Sequence, residues 1–174
     1  MQRRQFIQVS GGATLAASTA ASAAGKRGSK ADKASFDTVS ALITAWKRKD
    51  IDAVMAYVTD DIVWHSHVGS PVVRGKAAMR AFLERMAAGI TDIRWRVHFH
   101  AIKGNQIFME GVDDFVMVDS KRRVAIPYLG TMVFRGGLIS EWRDYFDRAL
   151  FDRMKAGETP PADIAALADR PGQP

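Results

Sequence analysis

Residues 122–147 read RRVAIPYLGTMVFRGGLISEWRDYFD, two alternating apolar runs separated by Arg135-Gly136-Gly137. Under the two-residue period of a strand, Val124, Ile126, Tyr128, Gly130 and Met132 share one face of the first run. Leu138, Ser140, Trp142, Asp144 and Phe146 share one face of the second. A glycine turn between two such runs makes an antiparallel hairpin. The same period reaches back to about Thr91 and predicts strands near 92–102, 106–118, 122–135 and 137–147, with further turns at Lys103-Gly104-Asn105 and Asp119-Ser120-Lys121.

Upstream the spacing changes to three and four. Phe36, Val39, Leu42, Ile43 and Trp46 predict an amphipathic helix capped by Ser35 and running to about Lys49. Asp50 can cap a shorter helix carrying Ile51, Val54, Met55 and Val58. Residues Ile62 to Val68 alternate as a strand until Gly69-Ser70-Pro71 stops it. A third helix from about Lys76 bears Met79, Phe82, Leu83 and Met86. Three helices followed by a meander predict an α+β domain, with three N-terminal helices packed on a strongly curved, mostly antiparallel sheet that closes into a cone around a pocket. Asp147 is placed to cap a helix beginning near Arg148. From Gly157 a tail with Thr159-Pro160-Pro161 and a weak helix at 162–168 either covers the pocket or lies loose.

The chain of 174 residues, 47% hydrophobic and 25% charged, suits one globular domain. Its first residues are read apart from that domain. Arg3-Arg4-Gln5-Phe6-Ile7, a mild run of Ala, Gly and Thr, and Ala21-Ser22-Ala23 occur in the order of an export signal, and 1–23 resembles the twin-arginine type. The expected division is therefore a signal at 1–23, a linker at 24–34, the domain at 35–156 and the tail at 157–174, with the mature protein periplasmic or secreted. Cysteine is absent, so no disulfide supports the fold. No segment approaches the roughly 20 apolar residues of a membrane span. The net charge of +6 is scattered and accompanies no nucleic-acid motif, so neither a membrane span nor a nucleic-acid partner is expected.

Asp144 is the unusual residue of the last strand. If the Trp142 face points inward, a carboxylate stands among apolar side chains, where it takes up a proton or finds a partner, and becomes a candidate acid or base. The competing reading places it at the sheet rim, paired with Arg143 or Arg148. His65 with His67, and His98 with His100, have a spacing that can ligate zinc or copper. Both pairs alternate with the apolar Trp64 and Phe99, which predicts an outer-face position and no metal. Glu110 and Asp114 are read as solvated outer charges. Met79, Met86, Met109 and Met132 are read as filling for the pocket wall.

The order of elements, with Glu110-Gly111-Val112-Asp113, Ile126-Pro127-Tyr128-Leu129-Gly130-Thr131 and Trp142-Arg143-Asp144-Tyr145-Phe146-Asp147, resembles the limonene epoxide hydrolase family. That family belongs to the cone-shaped nuclear transport factor 2-like superfamily, alongside the SnoaL-type polyketide cyclases. The likeness spans about Phe36 to Lys155. It implies opening of an epoxide by water, with no metal, no cofactor and no covalent intermediate. In that family one aspartate, helped by a tyrosine and an asparagine, takes a proton from water. A second aspartate protonates the epoxide oxygen, and an arginine bridges the two. By this resemblance Asp144 matches the water-activating residue and Asp113 the proton donor. Gly111 stands where the arginine is expected, Trp64 where the tyrosine is, and Ser66 where the asparagine is.

Two carboxylates in one apolar pocket cannot both ionise cheaply, so an acid and a base can coexist there at neutral pH even without the arginine. Strand register decides whether another cation replaces it. A two-residue turn at Gly104-Asn105 sets Arg96 opposite Asp113, whereas a three-residue loop sets Trp95 opposite Asp113 and Val97 opposite Gly111. The alternation from Arg94 to His100 favours the second pairing, with Trp95, Val97 and Phe99 inward. Tyr128 and Ser66 are then the candidates to hydrogen-bond an aspartate. Trp64, Trp95, Val97, Met109, Phe115, Ile126, Trp142 and Phe146 are the expected lining for a small apolar molecule. The expected function is an exported epoxide hydrolase-like protein. Proton transfer by one pocket aspartate, as in isomerases and cyclases, and a non-catalytic binding module stand as alternatives. A homodimer through the outer sheet face is a further expectation of the resemblance.

Overall fold

The structure, a computed structural model, describes residues 30–173. The expected signal at 1–23 and the linker as far as residue 29 lie outside the described residues. Helix α1 (Lys30–Lys47) begins ahead of Ser35, so residues 30–34 are its first turn and not linker. Its face of Val39, Leu42, Ile43 and Trp46 is buried, as the three- and four-residue spacing requires. Asp50 caps α2 (Ile51–Ala56) by accepting the Ala53 N–H at 3.0 Å. Strand β1 (Val58–His65) starts earlier than expected, and Val58 belongs to it. The short β2 (Val73–Arg74) leads into α3 (Lys76–Gly89), and β3 (Ile90–Thr91) follows. Then come β4 (Arg96–Lys103), β5 (Gln106–Met117), β6 (Arg123–Arg135) and β7 (Leu138–Tyr145). After them come α4 (Arg148–Ala156) and α5 (Ala162–Asp169).

Among the described residues the strands form one seven-stranded sheet in the order β2-β1-β7-β6-β5-β3, with β4 also paired to β5. The pairing is antiparallel except between β1 and β7, which run parallel. The fold class is α+β as expected, and the described residues form five helices: three ahead of the meander and two after it, where helices near Arg148 and at 162–168 were expected. The core lies on the inner face, where Ile107, Met109, Met132 and Ile139 are fully buried under Leu42, Val54 and Met79.

The β4–β5 hairpin settles the register in an unexpected way. Lys103 pairs with Gln106 across a two-residue turn, yet Val97 pairs with Gly111, because a bulge between Val97 and Phe99 absorbs one residue. The bulge also reverses the faces beyond it. Phe99 was expected inside; it lies opposite Glu110 and is 57% exposed. His100 instead faces α1 and stacks on Phe36 at 3.8 Å.

The tail does not cover the pocket. Helix α5 packs through Ile164, Leu167 and Ala168 on Val112 and Ala125, which are outward residues of β5 and β6. Beyond it the Gln173 N–H donates to the Val97 carbonyl at 2.7 Å, and His98 and His100 meet Pro171 and Gln173. An outer-face homodimer would have to form beside α5 or displace it. Asp114, expected to be solvated, is 0% exposed on this face. Arg123 grips it through two bonds of 2.9 Å, Arg96 reaches it at 3.2 Å and Arg94 at 3.5 Å. Arg123 extends the network to Asp169 of α5 at 3.0 Å.

Candidate active site

Asp113, Tyr128 and Asp144 project from three neighbouring strands onto the inner face. Asp113 of β5 pairs with Ile126 of β6, Gly111 with Tyr128, and Gly130 with Asp144 of β7. Tyr128 is thus two residues along its strand from the partner of each aspartate. A side chain at position 130 would place its Cβ 3.2 Å from Asp144 Oδ1 and 3.2 Å from the Tyr128 ring. Glycine there leaves room for both.

All three line a cavity of about 280 Å³, near the lower end of the ~300–1,000 Å³ typical of small-ligand pockets. Trp142 is its central plate: its ring centroid lies 5.1 Å from Trp64 and 5.6 Å from Trp95. Phe82 meets Trp64 edge-on at 4.8 Å. Trp64 reaches this cluster because parallel pairing of β1 with β7 sets it directly beside Trp142.

The two carboxylates are held differently. Asp144 accepts the Trp142 Nε1–H at 2.8 Å on one oxygen and the Trp64 Nε1–H at 3.3 Å on the other. Asp113 Oδ1 is buried with no hydrogen-bond partner among the described residues. Burial pushes the Asp113 carboxyl up to about 7, with the Asp114 charge adding to the rise. Asp144 is also pushed up to about 7 by burial; the two indole N–H groups pull it down and the Asp113 charge pushes it up. Tyr128, buried, has its hydroxyl held well above the ordinary tyrosine value by desolvation and by both aspartates. It stays protonated at neutral pH.

Position 111 shows why no arginine stands here. A Cβ would fall 1.9 Å from the Arg96 carbonyl oxygen and 3.0 Å from the Tyr128 ring. The main chain of β4 and the tyrosine occupy the space a longer side chain would need. Arg96 does not substitute: its guanidinium points outward to Asp114.

Of the residues expected at the site, Asp113, Asp144, Tyr128, Ser66, Trp64, Trp95, Phe115, Ile126, Trp142 and Phe146 line the cavity. Val97 and Met109 do not; they are buried in the core beneath it. Among the described residues neither Tyr128 nor Ser66 hydrogen-bonds an aspartate. The Tyr128 hydroxyl accepts the Trp95 Nε1–H at 2.7 Å, and Ser66 Oγ pairs with Ser70 Oγ at 3.0 Å. The indole donors replace them. His67, expected on the outer face, lines the cavity 5.4 Å from Phe146 and 3.5 Å from Arg148. Strand β1 ends at His65, so its alternation does not carry to residue 67. Burial and the Arg148 charge lower the His67 pKa. Met86, expected as wall filling, lines the cavity, and Phe82, Arg148 and Phe151, which had gone unassigned as lining, join it. Among the described residues no three His, Cys, Asp or Glu side chains converge to hold a metal.

Comparison with known proteins bears on this geometry. Residues 39–142 match the SnoaL-like domain model, a segment that contains Asp113 and ends two residues before Asp144. The chain is 30% identical over 117 residues to epoxide hydrolase EphG of Mycobacterium tuberculosis, covering 67% of this chain and 74% of that protein. Among solved structures, an M. tuberculosis LEH-like epoxide hydrolase superposes with a TM-score of 0.62 at 26% identity, over 70% of this chain and 89% of that one. An NTF2-like protein of unknown function from Burkholderia pseudomallei gives 0.63 at 21% identity, over 70% and 96%. A Catenulispora acidiphila protein with a ketosteroid isomerase-like fold gives 0.63 at 18% identity, over 73% and 95%. The last two share the fold alone.

Proposed function

The chain belongs to the SnoaL-like family and is homologous to an LEH-like epoxide hydrolase, and from that premise we propose that it adds water to a small apolar epoxide through Asp144 and Asp113. The observation that carries this reading is the unequal hydrogen bonding of two carboxylates in one aromatic cavity. Indole N–H groups from Trp64 and Trp142 favour the charged form of Asp144. Asp113, with a buried oxygen that has no donor, favours its proton. One base and one acid then coexist near neutrality.

In the proposed step the Asp144 carboxylate takes a proton from a water molecule as the water oxygen attacks an epoxide carbon. The carbon–oxygen bond breaks, and Asp113 delivers its proton to the leaving oxygen. The product is a diol, Asp144 is now protonated and Asp113 ionised, and return of a proton from Asp144 to Asp113 restores the site. Each Asp144 oxygen keeps a second lone pair for water while accepting an indole N–H. Tyr128 accepts from Trp95 and retains its own proton, so it can donate to the ligand oxygen.

General acid–base catalysis contributes about 10²–10⁴-fold in rate. Asp144→Asn and Asp113→Asn are each expected to reduce diol formation by that order. The test is a panel of apolar epoxides incubated in ¹⁸O-labelled water, with label in the diol read by mass spectrometry. Undiminished diol formation by Asp144→Asn would remove it as the base. Exchange of a proton beside a carbonyl, lost in Asp144→Asn but kept in Asp113→Asn, would instead support the isomerase or cyclase reading.

A further inference from the structure

A second groove lined by Arg85, Ile90, Met117 and Lys155 adjoins the cavity, and the two share Phe82, Met86, Phe115, Arg148 and Phe151. The five shared residues form one stretch of wall between the aspartates and the outer groove. Its chemistry changes along the way. The inner end is aromatic and holds two carboxylates. At the outer end three cations rest on rings of the wall: Arg85 lies 6.0 Å from the Phe82 centroid, while Arg148 and Lys155 lie 5.3 and 5.4 Å from that of Phe151. Arg148 pairs with Asp152 at 2.9 Å. Asp119 feels the Lys155 charge from outside ion-pair distance. Among the described residues Arg85 and Lys155 have no carboxylate within ion-pair distance.

We propose that cavity and groove act as one passage that binds an apolar acid, its hydrocarbon body in the aromatic cavity and its carboxylate at the mouth among Arg85, Arg148 and Lys155. The orientation follows from charge. The inner aspartates repel an anion, the outer cations attract one, and the apolar wall between them accepts only hydrocarbon. This inference rests on the reading of the cavity as a substrate site and narrows the substrate to an epoxide carrying a distal carboxylate. Arg85 and Lys155 are exposed, and neither lines the cavity that holds the aspartates. Replacing them leaves the catalytic machinery and the fold in place.

The test is calorimetric titration of the full chain with decanoate and with decanol, for wild type, the Arg85→Gln/Lys155→Gln double variant and Asp144→Asn. Decanoate is expected to bind wild type about tenfold more tightly than decanol, and added salt should erode the preference because exposed charges are screened. The double variant should lose the preference, and Asp144→Asn should keep it. Equal binding of acid and alcohol, or a preference that survives in the double variant, would overturn the inference. So would binding only to phosphatidylglycerol vesicles, which would make the basic mouth a membrane contact. Binding is read without turnover, so absence of diol formation would count against the proposed reaction and leave the acid preference standing.

Discussion

At the level of single residues, Trp64 and Trp142 carry the electrostatics of the site, because among the described residues they are the hydrogen-bond donors to Asp144. Trp64→Phe keeps the ring but removes one N–H. A hydrogen bond to a charged group is worth ~1.5–3 kcal/mol, so the variant should move the acidic limb of the kcat/KM profile to higher pH. The wild-type profile should itself be a bell with its maximum near 7, since one carboxylate must be ionised and the other protonated, and both titrate at about 7. Rates measured from pH 4 to 10 check both outcomes. Gly111 makes the opposite kind of contribution, by having no side chain. Gly111→Ala forces a Cβ against the Arg96 carbonyl, and overpacking of this kind costs ~1–3 kcal/mol or more. Urea denaturation should show that loss, and Gly111→Arg should yield unfolded protein and not a repaired clamp. Strand period alone left Asp144 between the pocket and the sheet rim, and it was the family resemblance that placed it at the site. The indole donors were not legible, because Trp64 meets Trp142 only through parallel pairing of segments nearly eighty positions apart, which local periodicity does not encode.

At the level of elements, the helices and strands followed their periods closely, since each buries one continuous face. The β4–β5 register shows where that reading stops. The alternation from Arg94 to Val97 correctly placed Val97 opposite Gly111, but nothing in it marks His98 as an extra residue, so Phe99 and His100 came out on the wrong faces. A bulge is specified by how the two paired strands come into register and by the tail that bonds Val97, not by the strand's own pattern. The α4 cap, by contrast, was local and legible: Asp147 accepts the Leu150 N–H at 3.0 Å. Helix α4 carries Arg148 and Phe151 into the cavity wall. Asp147→Ala should cost ~1 kcal/mol of stability. It should weaken ligand binding through a loosened wall while leaving the limbs of the pH profile unmoved. Thermal melts and KM against kcat separate these effects.

At the level of the whole molecule, the raised carboxylates tie stability to pH. Both aspartates sit near 7 when folded, against ~3.9 when unfolded. The native state then binds more protons than the unfolded chain between about pH 4 and 7. Their contribution is full below about pH 4 and is lost as pH rises through about 7. The difference in urea midpoint between wild type and the Asp113→Asn/Asp144→Asn double variant should therefore change sharply from pH 5 to pH 8, with wild type losing ground at the higher pH.

The attachment of Gln173 to Val97 has a colloidal consequence. Among the described residues β4 pairs with β5 on one side only, and Phe99 points outward from it. The last residues close part of that edge, and α5 shelters Val112 and Ala125 beside it. A chain shortened after Gly157 would offer bare strand and bare hydrocarbon to its neighbours. Its solutions should cloud on standing, at concentrations where the intact chain stays clear.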